Sequence, residues 1–540
     1  MTEPWWKSAV IYQIYPRSFQ DSNRDGVGDL PGIIRRLPYL AGLGVDALWI
    51  SPIFPSPMRD FGYDICDYTG IDPLFGTMAD FDLLLASAHR YGLKLILDFV
   101  PNHTSDQHPW FVDSRSSRAN AKRDWYIWRD PEAGGGPPNN WLSEFGGSAW
   151  TLEPRSGQHY YHAFLPDQPD LNWRNPQVGR AMHDVMRFWL SKGVDGFRVD
   201  VIWHLIKDDQ FRDNPINPAY APGMPPSQGV LPLHTADLPA VQDIVSGLRR
   251  VVDEFPERLL IGEIYLPFER LVAYYGHDLA GVHLPFNFAL LHTPWNACAV
   301  STLIDAYEAA LPAGGWPNWV LGNHDRARIA NRVGSAQARV AAMLLLTLRG
   351  TPTIYYGDEI GMPQVPIPPD RVRDPFEKRV PGIGVGRDGA RTPMQWDESD
   401  FAGFSTVEPW LPVSDCFRSL NVARQLQDPS SIYHLYRRLI SARRRQSTLS
   451  AGSYRTVKAA GDHLLYERQA GSARTLIALN FGSEAISTPL PADVAAGKIL
   501  VSSLGDRDTE ELGAHIALRG DEGLVIEVNN HDGTNLARDD

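Results

Sequence analysis

The sequence predicts an α/β protein: a (β/α)8 TIM barrel with a loop-rich domain inserted after the third strand and an antiparallel β-domain at the C-terminus. Three observations carry that expectation. Apolar strand-like runs alternate with amphipathic helical runs over residues 9–103, the alternation resumes at residue 176, and residues 450–540 carry strand-like runs only. Strand–helix alternation with short links predicts a parallel sheet, and eight such strands close into a barrel.

The elements follow in order. AVIYQIY (9–15) reads as a strand, LPGIIRRLPYLAGLG (30–44) as a helix ending near Gly44, and VDALWISPIF (45–54) as a second strand. MADFDLLLASAHRYG (78–92) is a helix with Gly92 as its C-cap, and LKLILDFVPNH (93–103) is a third strand. Residues 104–175 break the rhythm with a Trp-, Pro-, Gly- and Asn-rich stretch that includes GGGPPNNWL (134–142); this length without βα alternation predicts an inserted domain. PQVGRAMHDVMRFWLSKG (176–193) restores a helix. VDGFRVDVI (194–202), RLLIGEIY (258–265), the weaker HLPFNFALL (283–291), WPNWVLGNHD (316–325) and TPTIYYGDE (351–359) bring the strands to eight. Residues 362–425 are irregular and Pro-rich, and DPSSIYHLYRRLISARRRQ (428–446) is a closing helix expected to be capped by Ser430. DHLLYER (462–468), TLIALNF (475–481) and LVIEVNN (524–530) then form a small antiparallel domain. The expected boundaries are 1–103 and 176–449 for the barrel, 104–175 for the insertion and 450–540 for the β-domain.

Composition narrows the function classes. At 540 residues the chain is too long for one ordinary core. A net charge of −13 argues against nucleic-acid and anionic-membrane partners. Cys66, Cys298 and Cys416 are odd in number and far apart, which disfavours a disulfide framework or a zinc site and fits a reducing, cytoplasmic setting. MTEPWWKSAV lacks a signal-peptide core, and no apolar run is long enough to span a bilayer. The 16 Trp and 20 Tyr offer flat faces for sugars, although most must serve packing. The expectation is a monomer or homodimer acting on a small substrate, with no organic cofactor.

In such a barrel the active site lies where the strands end. Asp98, Asn102 and His103 end strand 3, Arg198 and Asp200 strand 4, Glu263 strand 5, and Asn323, His324 and Asp325 strand 7; strand 2 leads into Asp60, Tyr63 and Asp64. The chemistry that fits is glycoside hydrolysis, which uses one carboxylate as nucleophile and one carboxylic acid as proton donor. Arg198, two residues before Asp200, shares its side of the strand and can keep it ionised. Glu263 follows the apolar LLIG, so desolvation should raise its pKa. Asp325 could favour the oxocarbenium-like transition state, and His103 and His324 suit sugar hydroxyls. A catalytic zinc is the competing use of these groups, but no HExxH or close His pair supports it.

DSNRDGVGDL (21–30) spaces Asp21, Asn23, Asp25, the Val27 carbonyl and Asp29 as an EF-hand calcium loop begins. Gly32 stands where that loop would need Glu, and no entering helix precedes it. The expectation is a compact oxygen cage for Ca2+, with Mg2+ second, against the plainer reading of a solvated turn.

Four motifs resemble those of glycoside hydrolase family 13, the α-amylase family: DFVPNH (98–103), GFRVD (196–200), GEIY (262–265) and GNHD (322–325). QPDLN (168–172), beginning at Gln168, looks like the fifth motif of the oligo-1,6-glucosidase branch. AVIYQIYPRSFQDSNRDGVGDL and GARTPMQWD (389–397) resemble α-glucosidases of that branch. The resemblance implies Asp200 as nucleophile, Glu263 as general acid and then base, and Asp325 as transition-state stabiliser. It implies that Arg198 orients Asp200, that His103 and His324 hold the glucose, that Tyr63 stacks on it, and that Asp60 and Arg387 clasp its non-reducing end, with Gln168 also in the substrate site. It implies retention, with carboxyl groups about 5–5.5 Å apart, and one structural Ca2+ on the loop at 21–29. Such a clasp would make a closed pocket for exo-cleavage of maltose-, isomaltose-, sucrose- or trehalose-type substrates, with transglucosylation as a side activity. Val201 resembles α-1,6-preferring enzymes, whereas DVIWHLIKDDQFRDNP (200–215) resembles broader α-glucosidases; linkage stays open. Sucrose isomerase, trehalose synthase and dedicated glucosyltransferase remain alternatives, although RARIANRVG after Asp325 lacks the RLDRF-type run of the isomerases. A transporter-associated relative without catalysis would lack the acids that this chain retains.

Overall fold

The computed structural model describes residues 3–530; the extreme ends of the expected barrel and β-domain, residues 1–2 and 531–540, lie outside the described residues. The barrel strands are β1 (Ile11–Ile14), β2 (Ala47–Ile50) and β3 (Lys94–Phe99), followed after β4 (Trp128–Arg129), β5 (Trp150–Glu153) and β6 (Gln158–Tyr161) of the insertion by β7 (Gly196–Val199), β8 (Leu259–Gly262), β9 (Leu284–Asn287), β10 (Asn318–Val320) and β11 (Thr351–Tyr355). Eight parallel strands close in the order β1-β11-β10-β9-β8-β7-β3-β2, and β2 pairs back onto β1. Apart from Lys94, every residue of these eight strands is buried. Both faces are covered, which is why the sequence shows apolar runs rather than alternation.

The two faces still separate by a period of two. Ile11, Ala47, Trp49, Ile96, Leu259, Ile261, Phe286 and Val320 form one apolar cluster, while Tyr12, Leu48, Ile50, Leu95 and Leu97 pack in the larger cluster shared with the helices. Continuing the first register upward leads from Ile96 to Asp98, from Gly196 through Arg198 to Asp200, and from Ile261 to Glu263. Asp98 pairs with Arg198 across β3 and β7, and Arg198 with Ile261 across β7 and β8. The inner core thus delivers polar side chains to the strand ends.

Local signals set the helices. Asp29 caps Leu30–Leu43 by accepting from the Gly32 amide, and Gly44 ends it at φ 99°. Thr77 and Asp80 form a capping box at the start of Met78–Arg90. Its C-cap is Tyr91, so the expected cap at Gly92 shifts by one residue; Gly92 takes the following position at φ 75°. The closing helix runs Ile432–Arg445 and is capped by Ser431, not by the expected Ser430. Ser430 is instead drawn to Asp428, whose Oδ1 accepts from its amide at 2.9 Å and its hydroxyl at 2.7 Å. That Asx turn starts the helix one residue later.

The insertion contains a helix (Pro109–Ser116) and a three-stranded sheet in the order β4-β6-β5. C-terminal to the barrel come β12 (Ser453–Ala460), β13 (His463–Ala470), β14 (Ala473–Asn480), β15 (Ile486–Pro489), β16 (Val494–Ser502), β17 (Glu511–Leu512), β18 (His515–Leu518) and β19 (Gly523–Asn530). They make a six-stranded antiparallel sheet, β12-β13-β14-β19-β16-β17, and a separate β15-β18 pair. Among the described residues no helix is long and apolar enough to cross a membrane.

Candidate active site

Arg198 organises the strand ends. Its guanidinium is fully buried, and Nη1 donates to Asp98 Oδ1 and to Asp200 Oδ1, each at 2.8 Å. Nη2 lies 2.7 Å from Glu263 Oε2 but is not aligned to donate to it. A better-aligned donor to the same oxygen is the Val201 amide, at 2.9 Å. That amide is aimed by a left-handed backbone, φ 36° and ψ 46°, at a β-branched residue. Such a conformation is a genuine outlier and typical of functional sites.

One cation thus serves three carboxyl groups. Burial pushes Asp200 well up; Arg198 opposes that, while Glu263, Asp98 and Asp325 add to it. Burial also raises Glu263 against the pull of Arg198, with Asp325 adding to the rise. The sequence led us to expect only Glu263 to be raised. Both are, because the single charge of Arg198 is divided among neighbours and water is excluded.

Beside them, His324 is held on both ring nitrogens. Gln13, facing inward from β1, places Nε2 at 2.8 Å from His324 Nδ1, so Nδ1 accepts and Nε2 carries the proton. Tyr63 Oη lies 2.8 Å from His324 Nε2 and donates to Asp98 Oδ2 at 3.0 Å. Burial takes His324 down to about 3 and His103 to about 4, so both are neutral at neutral pH. Asp325 behaves oppositely: burial would raise it, but the surrounding cations outweigh burial and hold it far below the carboxylate range. His324 lowers it most but only once protonated, at low pH; at neutral pH Arg387, Arg391 and Arg198 keep Asp325 ionised. Arg391 Nη2 donates to Asp325 Oδ1 at 2.8 Å, and Arg387 Nη1 lies 3.3 Å from the same oxygen.

Asp60 and Arg387 form an ion pair beside these groups. Arg387 Nη2 donates to Asp60 Oδ1 at 2.7 Å. Gln168 Nε2 bridges Asp60 Oδ2 at 3.4 Å and His103 Nε2 at 3.2 Å, joining the insertion to the barrel rim. Phe145 of the insertion lies under Arg387, 5.0 Å from its guanidinium carbon, and stacks on Phe376 with centroids 4.9 Å apart. A separate cavity of about 160 Å³, lined in part by Tyr126, Trp128, Trp173 and Phe211, contains none of these acids.

An α-amylase catalytic-domain model matches residues 13–452. The chain belongs to the α-amylase family. It is a glycoside hydrolase acting on O-glycosyl bonds, as its relatives indicate. A Rhizobium meliloti (strain 1021) protein named "Probable alpha-glucosidase" is 44% identical, over 90% of this chain and 91% of its own length. The oligo-1,6-glucosidase of Parageobacillus thermoglucosidasius is 37% identical over 98% of this chain and 100% of its own. Among solved structures, the α-glucosyl transfer enzyme XgtA superposes with a TM-score of 0.93 at 40% identity, covering 98% of this chain and 100% of that one.

Within this family member, the structure brings together Asp200, Glu263, Asp325, Asp60, Tyr63, His103, Gln168, Arg198, His324 and Arg387, all the acid and sugar-site residues read from the sequence. Sequence reasoning missed Gln13, Arg391, Asp374 and the Val201 amide. Arg391 lies in GARTPMQWD, which carried the resemblance but no assigned chemistry.

The loop at 21–29 is a different matter. Its donors are all oxygens, which suits a hard divalent cation. Yet Asp21 already accepts from the amides of Asn23, Arg24 and Gly26 and from Ser405 Oγ. Asp29 accepts from Gly32, from the Ser22 amide and from Ser22 Oγ. Among the described residues, no three His, Cys, Asp or Glu side chains are grouped so as to hold a metal ion. The donor chemistry fits a cation. Gly32 has its own explanation, since a Cβ there would sit 2.0 Å from the Gln20 carbonyl oxygen.

Proposed function

We propose that the protein is an exo-acting, retaining α-glucosidase that releases glucose from the non-reducing end of short α-glucosides and also transfers glucosyl groups. The observation that carries this reading is the 2.7 Å Asp60–Arg387 ion pair at the end of a site whose two central carboxyl groups share Arg198. A polymer-cutting groove would have to pass through that pair.

In this reading Asp200 attacks the anomeric carbon while Glu263 protonates the departing oxygen, giving a glucosyl ester. Water, activated by the Glu263 carboxylate, then releases glucose. Glu263 Oε2 accepts from the Val201 amide and lies beside the Arg198 charge, so the proton it gives sits on Oε1. Arg198 stabilises negative charge as it grows on the departing Asp200. Asp325, kept ionised by its arginines, offers two acceptors to hydroxyls and favours positive charge on the ring. Neutral His324 donates through Nε2. For the loop at 21–29 we retain one structural Ca2+, or Mg2+, as a proposal supported by the oxygens of Asp21, Asn23, Asp25, Val27 and Asp29; no step passes through it.

Glucosyl transfer to a sugar acceptor is the second reading, favoured by the likeness to XgtA. Product analysis on p-nitrophenyl α-glucoside, maltose, isomaltose, sucrose and trehalose tests both. Free glucose as the main product supports hydrolysis with transfer as a side activity, and transfer products in excess of free glucose support a dedicated transferase. Internal cleavage of soluble starch faster than maltose would overturn the closed-pocket reading.

A further inference from the structure

Arg387 touches three carboxylates, and they are not equivalent. Asp60 and Asp325 retain 6% and 23% side-chain exposure and face the site, whereas Asp374 has none. Asp374 grips the arginine hardest. Its Oδ1 accepts from Arg387 Nη2 at 2.7 Å and from Nε at 3.1 Å, and its Oδ2 accepts from the Arg387 amide at 2.7 Å and again from Nε at 3.1 Å. Asp374 is itself fixed from behind, because Asp388 Oδ2 accepts from the amides of Arg373 at 2.6 Å and Asp374 at 2.9 Å. The segment so closed also docks on the insertion: Arg379 donates to the carbonyls of Phe145 at 3.2 Å and Gly146 at 3.0 Å.

Asp374 has a second, structural task. It caps the short helix Pro375–Arg379, accepting from the Phe376 amide at 3.1 Å. Asparagine performs that task about as well as aspartate, but it cannot pair with a guanidinium through two charged oxygens. The two roles are therefore separable by one substitution.

We propose that Asp374 is a positioning residue that fixes Arg387 as the end wall of the glucosyl pocket and thereby confines cleavage to chain ends. It acts through Arg387 and does not touch the substrate. When hydroxyls of a bound sugar compete for Asp60 and Asp325, the buried Asp374 pair keeps the guanidinium in place. This rests on the reading of Asp60 and Arg387 as the pocket's closed end.

The test compares p-nitrophenyl α-maltotrioside with the same compound blocked at its non-reducing end by a 4,6-O-ethylidene group, together with KM and kcat on p-nitrophenyl α-glucoside. In Asp374→Asn, KM on the glucoside should rise about tenfold, more than kcat falls, and the blocked-to-open rate ratio should rise above wild type. Both rates in a ratio come from one preparation, so partial unfolding dilutes them equally. If Asp374→Asn does not fold, the ratio is read on Asp374→Glu, whose longer arm displaces the guanidinium while keeping the charge; it too should exceed wild type. An unchanged ratio in a soluble variant overturns the proposal. Wild-type enzyme that cleaves the blocked compound as fast as the open one fails a different claim, the exo reading itself.

Discussion

The Val201 amide donates to Glu263 Oε2 over 2.9 Å from a backbone at φ 36°. A left-handed conformation costs a residue with a Cβ about 1–2 kcal/mol, and glycine adopts it freely. Val201→Gly should keep the amide bond to Glu263 but lower Tm by a few degrees, because losing the buried side chain (about 1.5–3 kcal/mol) and the greater freedom of the unfolded chain outweigh the relieved strain. kcat on p-nitrophenyl α-glucoside should change only a few-fold. The maltose-to-isomaltose ratio of kcat/KM should shift, by an amount within the roughly 10–200-fold that a small apolar contact controls. A collapse of kcat would show that the side chain, not the amide, serves the acid.

Asp200 couples function to stability. Its folded pKa lies above the unfolded value of 3.8. The folded protein thus binds the proton more tightly; the resulting stability is fully present below the unfolded pKa and is lost as pH rises through the folded one. Asp200→Asn mimics the protonated form, and Arg198 keeps Asp98 as partner at 2.8 Å. The variant should lose activity by about 10⁴-fold or more. Its Tm should match wild type below the unfolded pKa and exceed it as pH rises from there through the folded pKa of Asp200. A Tm below wild type at every pH would show that pairing with Arg198 outweighs the desolvation of Asp200.

Arg391 is expected to tune Asp325. It bonds the His324 carbonyl through Nε at 2.7 Å and Asp325 through Nη2 at 2.8 Å, a two-point contact that lysine cannot reproduce. Arg391→Lys should lower kcat by about 10–100-fold, since a charge-stabilising group is misplaced. Asp325 stays ionised across the working range, so the acid limb of kcat/KM, set by the raised Asp200, should stay in place while kcat falls. A lower Tm with unchanged kcat would mean that Arg391 serves packing alone.

How much of this could be read from the sequence differs by element. The eight barrel strands were readable because burial on both faces leaves continuous apolar runs, and the period of two then carried Asp98, Arg198, Asp200 and Glu263 to one side. Asp60 and Arg387 lie at opposite ends of the barrel sequence, and only resemblance to a known family joined them. Asp374 precedes a proline and reads as a plain helix cap, which it also is. Ser430 and Ser431 are equivalent as caps in sequence; Asp428 decides between them. The turn at Val201 was invisible because a β-branched residue argues for continuing the strand.

The loop at 21–29 gives the last test. Hydrogen bonds anchor it: Asp21 donates its amide to the Phe404 carbonyl at 3.0 Å, Trp410 donates to the Gly26 carbonyl at 3.0 Å, and Ser405 Oγ bonds Asp21 Oδ2 at 2.6 Å. These contacts tie the loop after β1 to residues 404–410. A bound Ca2+ would add to that tie by holding the folded form at the expense of the unfolded one, about 2.7 kcal/mol at a hundredfold excess over Kd. It would do so away from Asp200 and Glu263. Chelator treatment should then lower Tm while leaving activity at 25 °C nearly intact, and added Ca2+ should restore Tm more effectively than Mg2+. The same Tm with and without chelator would assign the tie to the hydrogen bonds alone. Loss of turnover at unchanged Tm would place the ion in the catalytic site, against the geometry of the loop.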